Sequence, residues 1–156
     1  MTKWWRLVGA IVVAELAGGI GGLFTASKIP TWYALLTKPT WNPPAAVFAP
    51  VWTILYLLMG VSLWLVWEAK QSDDRRTALT LFWWQLAVNV LWSVVFFGLE
   101  SPGLAVIVIL VLLALIGSYV AKAWKLNSWA GIVMLPYIAW VSFATALTIA
   151  IWWLNR

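Results

Sequence analysis

The sequence predicts an all-α integral membrane protein: a bundle of five transmembrane helices with a long lid-like loop between the first two. Three observations predict it. Hydrophobic residues make up 64% of the chain and charged residues 10%, where soluble domains hold roughly 45–50% and about 25%. A chain of 156 residues has too much surface for its volume to hide that apolar excess from water. The few charges also cut the chain into long apolar runs, each near or above the roughly 20 residues a helix needs to cross about 30 Å of hydrocarbon.

The elements follow in order, as one domain over residues 1–156. Leu7–Ser27 is interrupted only by Glu15. It exceeds the roughly 7–15 apolar residues of a secretory signal, so it is predicted as a span over 5–26. Within it Ala10, Ala14, Gly18, Gly22 and Ala26 recur every fourth residue. Such a small-residue stripe lets another helix approach closely, here within the bundle in preference to a homodimer seam. The connection Ala26–Asn42 carries Trp32, Tyr33, Leu35, Leu36 and Trp41, where a plain linker would be polar. It is predicted to fold down as a lid, since long ordered loops are often functional; the alternative is a segment lying in the headgroups. Pro39–Trp67 holds no charge and gives a span over 44–68, with Asn42 as a capping side chain ahead of Pro43 and Pro44. Thr77–Leu99 gives 77–98. Ser101-Pro102-Gly103 makes a very tight turn of the same capping type. Ser101–Ala121 then gives 102–122, and Leu126–Asn155 gives 129–153. Pro50 and Pro136 fall inside spans and are expected to bend or loosen them. The runs are continuous, so they do not fit the alternating segments of a barrel.

Charge sets the expected orientation. Lys3, Arg6, Lys70, Arg75, Arg76, Lys122 and Lys125 fall on one side, and Lys28, Lys38 and Arg156 on the other. Seven against three favours an N-inside arrangement in a multi-pass membrane protein, with a bacterial cell membrane the leading location and an outer membrane the alternative. The net charge of +5 is scattered, as topology signals and headgroup attraction are, and is not the footprint of a nucleic-acid binder. Cysteine and histidine are absent. No disulfide, thiolate chemistry or haem held by an axial histidine or cysteine is therefore available, and the commonest metal ligand and general base are missing. No catalytic set, metal site or cofactor is predicted.

The 15 tryptophans are the outstanding feature of composition. Trp4, Trp5, Trp32, Trp41, Trp64, Trp67, Trp124, Trp129, Trp152 and Trp153 lie near span ends, as in an aromatic belt. Trp52, Trp92 and Trp140 lie deeper, roughly 12, 10 and 20 Å below the outside ends of their spans at about 1.5 Å per residue. Helical spacing joins them to stripes: Phe48, Trp52 and Tyr56; Gln85, Asn89, Trp92, Ser93 and Phe96; Tyr137, Trp140, Ala144 and Leu147. Gln85 and Asn89 are costly facing lipid and should turn inward. Two readings stand level here. One is an aromatic core with interhelical amide hydrogen bonds; the other is a cavity for a flat apolar ligand.

Several motifs then line up. Trp32-Tyr33, Lys38-Pro39-Thr40-Trp41-Asn42-Pro43-Pro44, Pro50-Val51-Trp52-Thr53, Leu55-Tyr56, Gln85-Leu86-Ala87 with Asn89 and Trp92, Phe96-Phe97-Gly98, Pro136-Tyr137 and Ala139-Trp140 run in order over nearly the whole chain. Together they resemble the tryptophan-rich sensory protein / translocator protein family, which includes the peripheral-type benzodiazepine receptor. The resemblance implies a five-helix fold with a pocket under the first loop. It implies binding of porphyrins and other tetrapyrroles, of benzodiazepine-type ligands and, in some members, of sterols, with transport or the sensing of oxidative or light stress as the role. A membrane-embedded homodimer is also implied. Carried over by residue, the ligand-binding positions are Tyr33, Trp41, Pro43, Pro44, Phe48, Trp52, Tyr56, Asn89, Trp92, Trp140, Ala144 and Leu147. The family's sterol motif is incomplete here, with Ile149 and Trp153 at its aromatic and basic positions.

Two alternative functions accompany this expectation. One is light-dependent porphyrin breakdown, with positions matching Trp52 and Trp140 implicated by the resemblance. The other is a proton-coupled exporter relying on Glu15, since an ionisable group in mid-span suggests function by default. The plainer expectation for Glu15 is a structural bond to a neighbouring helix.

Overall fold

The computed structural model describes residues 3–156. Helix α1 spans Lys3–Thr25, α2 Ala45–Glu68, α3 Asp73–Ser93, α4 Pro102–Leu126, α5 Ser128–Ile132 and α6 Leu135–Leu154. A π-helical turn, Val94–Gly98, prolongs α3, and a second, Ile29–Tyr33, lies in the first loop. Five segments are long and apolar enough to cross a membrane: Lys3–Thr25, Ala45–Glu68, Asp73–Gly98, Pro102–Leu126 and Ser128–Leu154. No strand occurs among the described residues.

The two prolines behave differently. Pro50 sits inside a continuous α2. Pro136 stands in the first turn of α6, just past the break between α5 and α6. Its missing N–H costs nothing there, because first-turn donors have no helical partner. The expected caps at Asn42 and Ser101 are not made. Pro44 and Ser101 precede α2 and α4 without a side-chain cap bond, and Asn42 is occupied elsewhere, by Tyr33 and Pro43. The caps that do form are at Ser72, which accepts from the Arg75 backbone N–H at 3.1 Å, and at Asn127, which accepts from the Trp129 N–H at 3.0 Å. Ser72 starts α3 at Asp73, ahead of the expected boundary. Lys122 pairs with Asp74, tying the charged end of α4 to α3, and α4 stays helical to Leu126, past the expected boundary.

Small residues set the closest approach. A Cβ at Gly60 would lie 2.5 Å from the Ile11 Cα, so α1 and α2 touch backbone to backbone there, the contact that small residues permit in membranes. Ala14 is fully buried on the same stripe of α1, whereas Val12, Leu16, Ile20 and Leu23 face outward. Below the site, Tyr119 and Ser62 share a 2.8 Å hydrogen bond and Ser62 donates to the Ala130 carbonyl at 2.7 Å. That cluster ties α2, α4 and α5 with every polar group satisfied, as a lipid-embedded core requires. The tight turn after the π-helical segment places Glu100 at φ 52°, and its carboxylate pairs with Lys28 of the first loop.

Candidate functional site

Four spans and the first loop enclose a cavity of about 480 Å³, a size typical of small-molecule sites. Its floor is polar. The Tyr56 hydroxyl donates to Asn89 Oδ1 at 2.6 Å, Asn89 Nδ2 donates to the Tyr137 hydroxyl at 2.7 Å, and Tyr137 donates to Gln85 Oε1 at 2.9 Å. This chain runs one way across α2, α3 and α6, so each hydroxyl donates once and is satisfied. Gln85, Asn89, Tyr56 and Tyr137 are buried. The interhelical role expected of the amides is therefore present, and it forms the base of the cavity rather than excluding one.

The walls are aromatic. Trp52 sits 5.7 Å from Tyr56 and 6.3 Å from Tyr137, ring centre to ring centre. Trp92 stacks on Phe96 at 5.2 Å, and Phe48 meets Trp140 edge-on at 6.1 Å. These offset and edge geometries are the favoured ones for aromatic pairs. The indole N–H groups of Trp92 and Trp140 are buried and have no acceptor among the described residues, although both residues line the cavity.

The roof is the first loop. Tyr33 lies over the cavity and donates to Asn42 Oδ1 at 2.8 Å. Burial raises the Tyr33 phenol above its ordinary range and the Asn42 bond partly offsets this, so it stays a neutral donor. Lys38 donates to the Tyr33 and Leu36 carbonyls, each at 2.8 Å, satisfying backbone that leaves the π-helical turn. Thr37 and Asn155 exchange two hydrogen bonds, of 2.9 and 2.8 Å, which fasten the loop to the end of α6. The lid form of the loop, and not a strip lying apart in the headgroups, is what the structure adopts.

Of the expected positions, Tyr33, Phe48, Trp52, Tyr56, Asn89, Trp92, Trp140, Ala144 and Leu147 come together around this cavity. Trp41, Pro43 and Pro44 do not. Trp41 packs edge-on to Phe143 at 5.7 Å and fronts a separate outer groove with Ile149 and Trp153. Pro43 and Pro44 lead into α2 outside the lining. Asn42, which lies between them, bonds back to Tyr33. Glu15 lines the cavity and has no hydrogen-bond or ion-pair partner among the described residues, so the expected structural bond to a neighbouring helix is absent.

Other lining residues escaped the sequence. Phe97 joins Phe96 because the π-helical turn packs adjacent positions inward, which a 3.6-residue period does not anticipate. Thr148 and Ile151 continue the Ala144 stripe at i+4 and i+7, a signal that was present. On α1, Gly18, Gly21 and Gly22 leave room for the cavity itself.

The sequence matches the TspO/MBR family over residues 10–154. It is 41% identical to the tryptophan-rich protein TspO of Archaeoglobus fulgidus, over 96% of this chain and 97% of that one. It is 34% identical to the translocator protein of Bos taurus, over 98% and 92%. It is 38% identical to the tryptophan-rich sensory protein of Cereibacter sphaeroides, over 74% and 72%.

Proposed function

The chain belongs to the TspO/MBR family of multi-pass membrane proteins, and from there we propose that it is a membrane receptor or carrier that binds porphyrins and related flat apolar ligands in the aromatic cavity. One observation carries this reading: Phe48, Trp52, Trp92, Phe96 and Trp140 line a cavity of about 480 Å³ whose floor includes the hydrogen-bonded Tyr56 and Asn89. Aromatic walls then supply stacking area on both sides.

The test is titration of the purified protein with protoporphyrin, followed by tryptophan quenching. Saturable quenching is expected, and Trp52→Phe with Trp140→Phe should weaken the affinity by tenfold or more, which is about 1.4 kcal/mol. Unchanged affinity in that double variant would remove the cavity from the reading.

A second reading, a proton-coupled exporter, is favoured by Glu15, a carboxyl that lines the cavity with no partner of its own among the described residues. Intramembrane carboxyls of this kind mark proton paths in transporters.

A further inference from the structure

Helices α1 and α2 run antiparallel and part company toward the lid. At Gly60 their backbones touch. Nearer the lid, a Cβ at Gly18 would lie 2.5 Å from the Tyr56 ring, so a side chain fills the gap at that level. Beyond it nothing lies within 4 Å of a Cβ at Gly19 or Gly22. The exposed members of the cavity lining lie on these two helices or just past the end of α1: Gly19 and Gly22 on α1, Ala26 directly after it, Ala49 and Thr53 on α2. Every lining residue from α3 with its π-helical extension, from α6, and from the loop beyond Ala26 is buried or half-buried.

Contacts span two of the other sides. Phe48 meets Trp140 across the α2–α6 side. Above, the lid is fastened by the Thr37–Asn155 pair, the Tyr33–Asn42 bond and the Lys28–Glu100 ion pair. The edges of the α1–α2 gap carry only small side chains, and the Thr53 hydroxyl is already spent on the Ala49 carbonyl at 3.0 Å. Both edges belong to membrane-crossing segments, so the gap opens on lipid.

We propose that the cavity exchanges its ligand sideways with the bilayer, through a port between α1 and α2 bounded by Gly19, Gly22, Ala49 and Thr53, and not with water through the lid. The ligand class is a flat apolar molecule dissolved in the membrane, which passes edges that offer it no hydrogen bond to break. The purpose of the port rests on the porphyrin reading; its geometry does not.

The absence of cysteine makes the port testable without any ligand. Ala144→Cys puts a single thiol on the cavity wall. The protein is reconstituted in phosphatidylcholine vesicles and labelled with either N-cyclohexylmaleimide, which dissolves in the bilayer, or a sulfonated maleimide, which does not. Labelling by the apolar reagent is expected to be roughly tenfold faster, and Gly22→Leu or Gly19→Leu, both with open space at Cβ, should slow it by about tenfold, a barrier change of about 1.4 kcal/mol. Asn155→Ala, which unfastens the lid, should leave the rate unchanged. Equal rates for the two reagents would overturn the port. So would faster labelling in Asn155→Ala with no effect of either leucine. No porphyrin is present, so a failed port leaves the porphyrin reading to its own titration, and a failed titration leaves the port to this one.

Discussion

Replacing Gly18 by alanine adds one methyl group where α1 crosses Tyr56. The new Cβ would lie 2.5 Å from both Cδ2 and Cε2 of the ring and 3.2 Å from Cγ. The ring has little freedom to retreat, because its hydroxyl is held by Asn89 at 2.6 Å and its face lies against Trp52. Either the helices part or Tyr56 swings off Asn89. Overpacking of this kind costs about 1–3 kcal/mol, and a lost hydrogen bond in a membrane protein adds about 0.6 kcal/mol. Alanine's better helix propensity returns up to about 1 kcal/mol, which leaves a net destabilisation of about 1–2 kcal/mol. The control is Gly22→Ala on the same stripe, where nothing lies within 4 Å of the added carbon; it should be neutral or slightly stabilising. The assay is reversible unfolding in mixed micelles with a denaturing detergent. In a Tyr56→Ala background the cost of Gly18→Ala should vanish. Equal effects at Gly18 and Gly22, or a cost that persists without the Tyr56 ring, would refute the reasoning.

Three further outcomes are expected. Ser62→Ala leaves the buried Tyr119 hydroxyl and Ala130 carbonyl without their partner, and at about 0.6 kcal/mol per bond it should cost about 1 kcal/mol in the same unfolding assay; an unchanged midpoint would mean that the cluster does not bind α2 to α4 and α5. Glu15→Gln should abolish pH-driven uptake into liposomes if the exporter reading holds, and uptake that persists in the variant, or is absent from the wild type, dismisses that reading. Protoporphyrin bound to the protein should bleach only under illumination if the light-dependent breakdown reading holds; turnover in the dark would demand an enzyme.

Hydropathy and charge made the membrane helices legible, because uncharged length is all that spanning requires. The inward faces were legible too. Gln85 and Asn89 cannot face lipid cheaply, and Trp52, Trp92 and Trp140 share their stripes. What stayed hidden depended on departures from regular helix. The π-helical turn at Val94–Gly98 turns Phe97 inward beside Phe96, against the 3.6-residue period. The break before Pro136 divides one expected span into α5 and α6. Asn42 looked like a cap because it precedes two prolines, yet it bonds Tyr33 nine residues back, a tertiary choice that no local pattern records. Trp41, Pro43 and Pro44 flank that bond and lie outside the cavity lining. The unpartnered indoles of Trp92 and Trp140 were invisible for a related reason: whether a donor finds an acceptor is decided by the neighbouring helices.

The most direct test of the central claim fills the cavity and leaves its frame alone. Ala144 is a half-buried wall residue and takes no part in the polar floor. Ala144→Trp projects an indole into the space of about 480 Å³. Protoporphyrin affinity, measured by quenching at fixed detergent and salt, should fall at least tenfold, about 1.4 kcal/mol, with the unfolding midpoint held or raised. Wild-type affinity in a folded Ala144→Trp protein would show that porphyrin binds elsewhere, and the cavity would lose its assigned role.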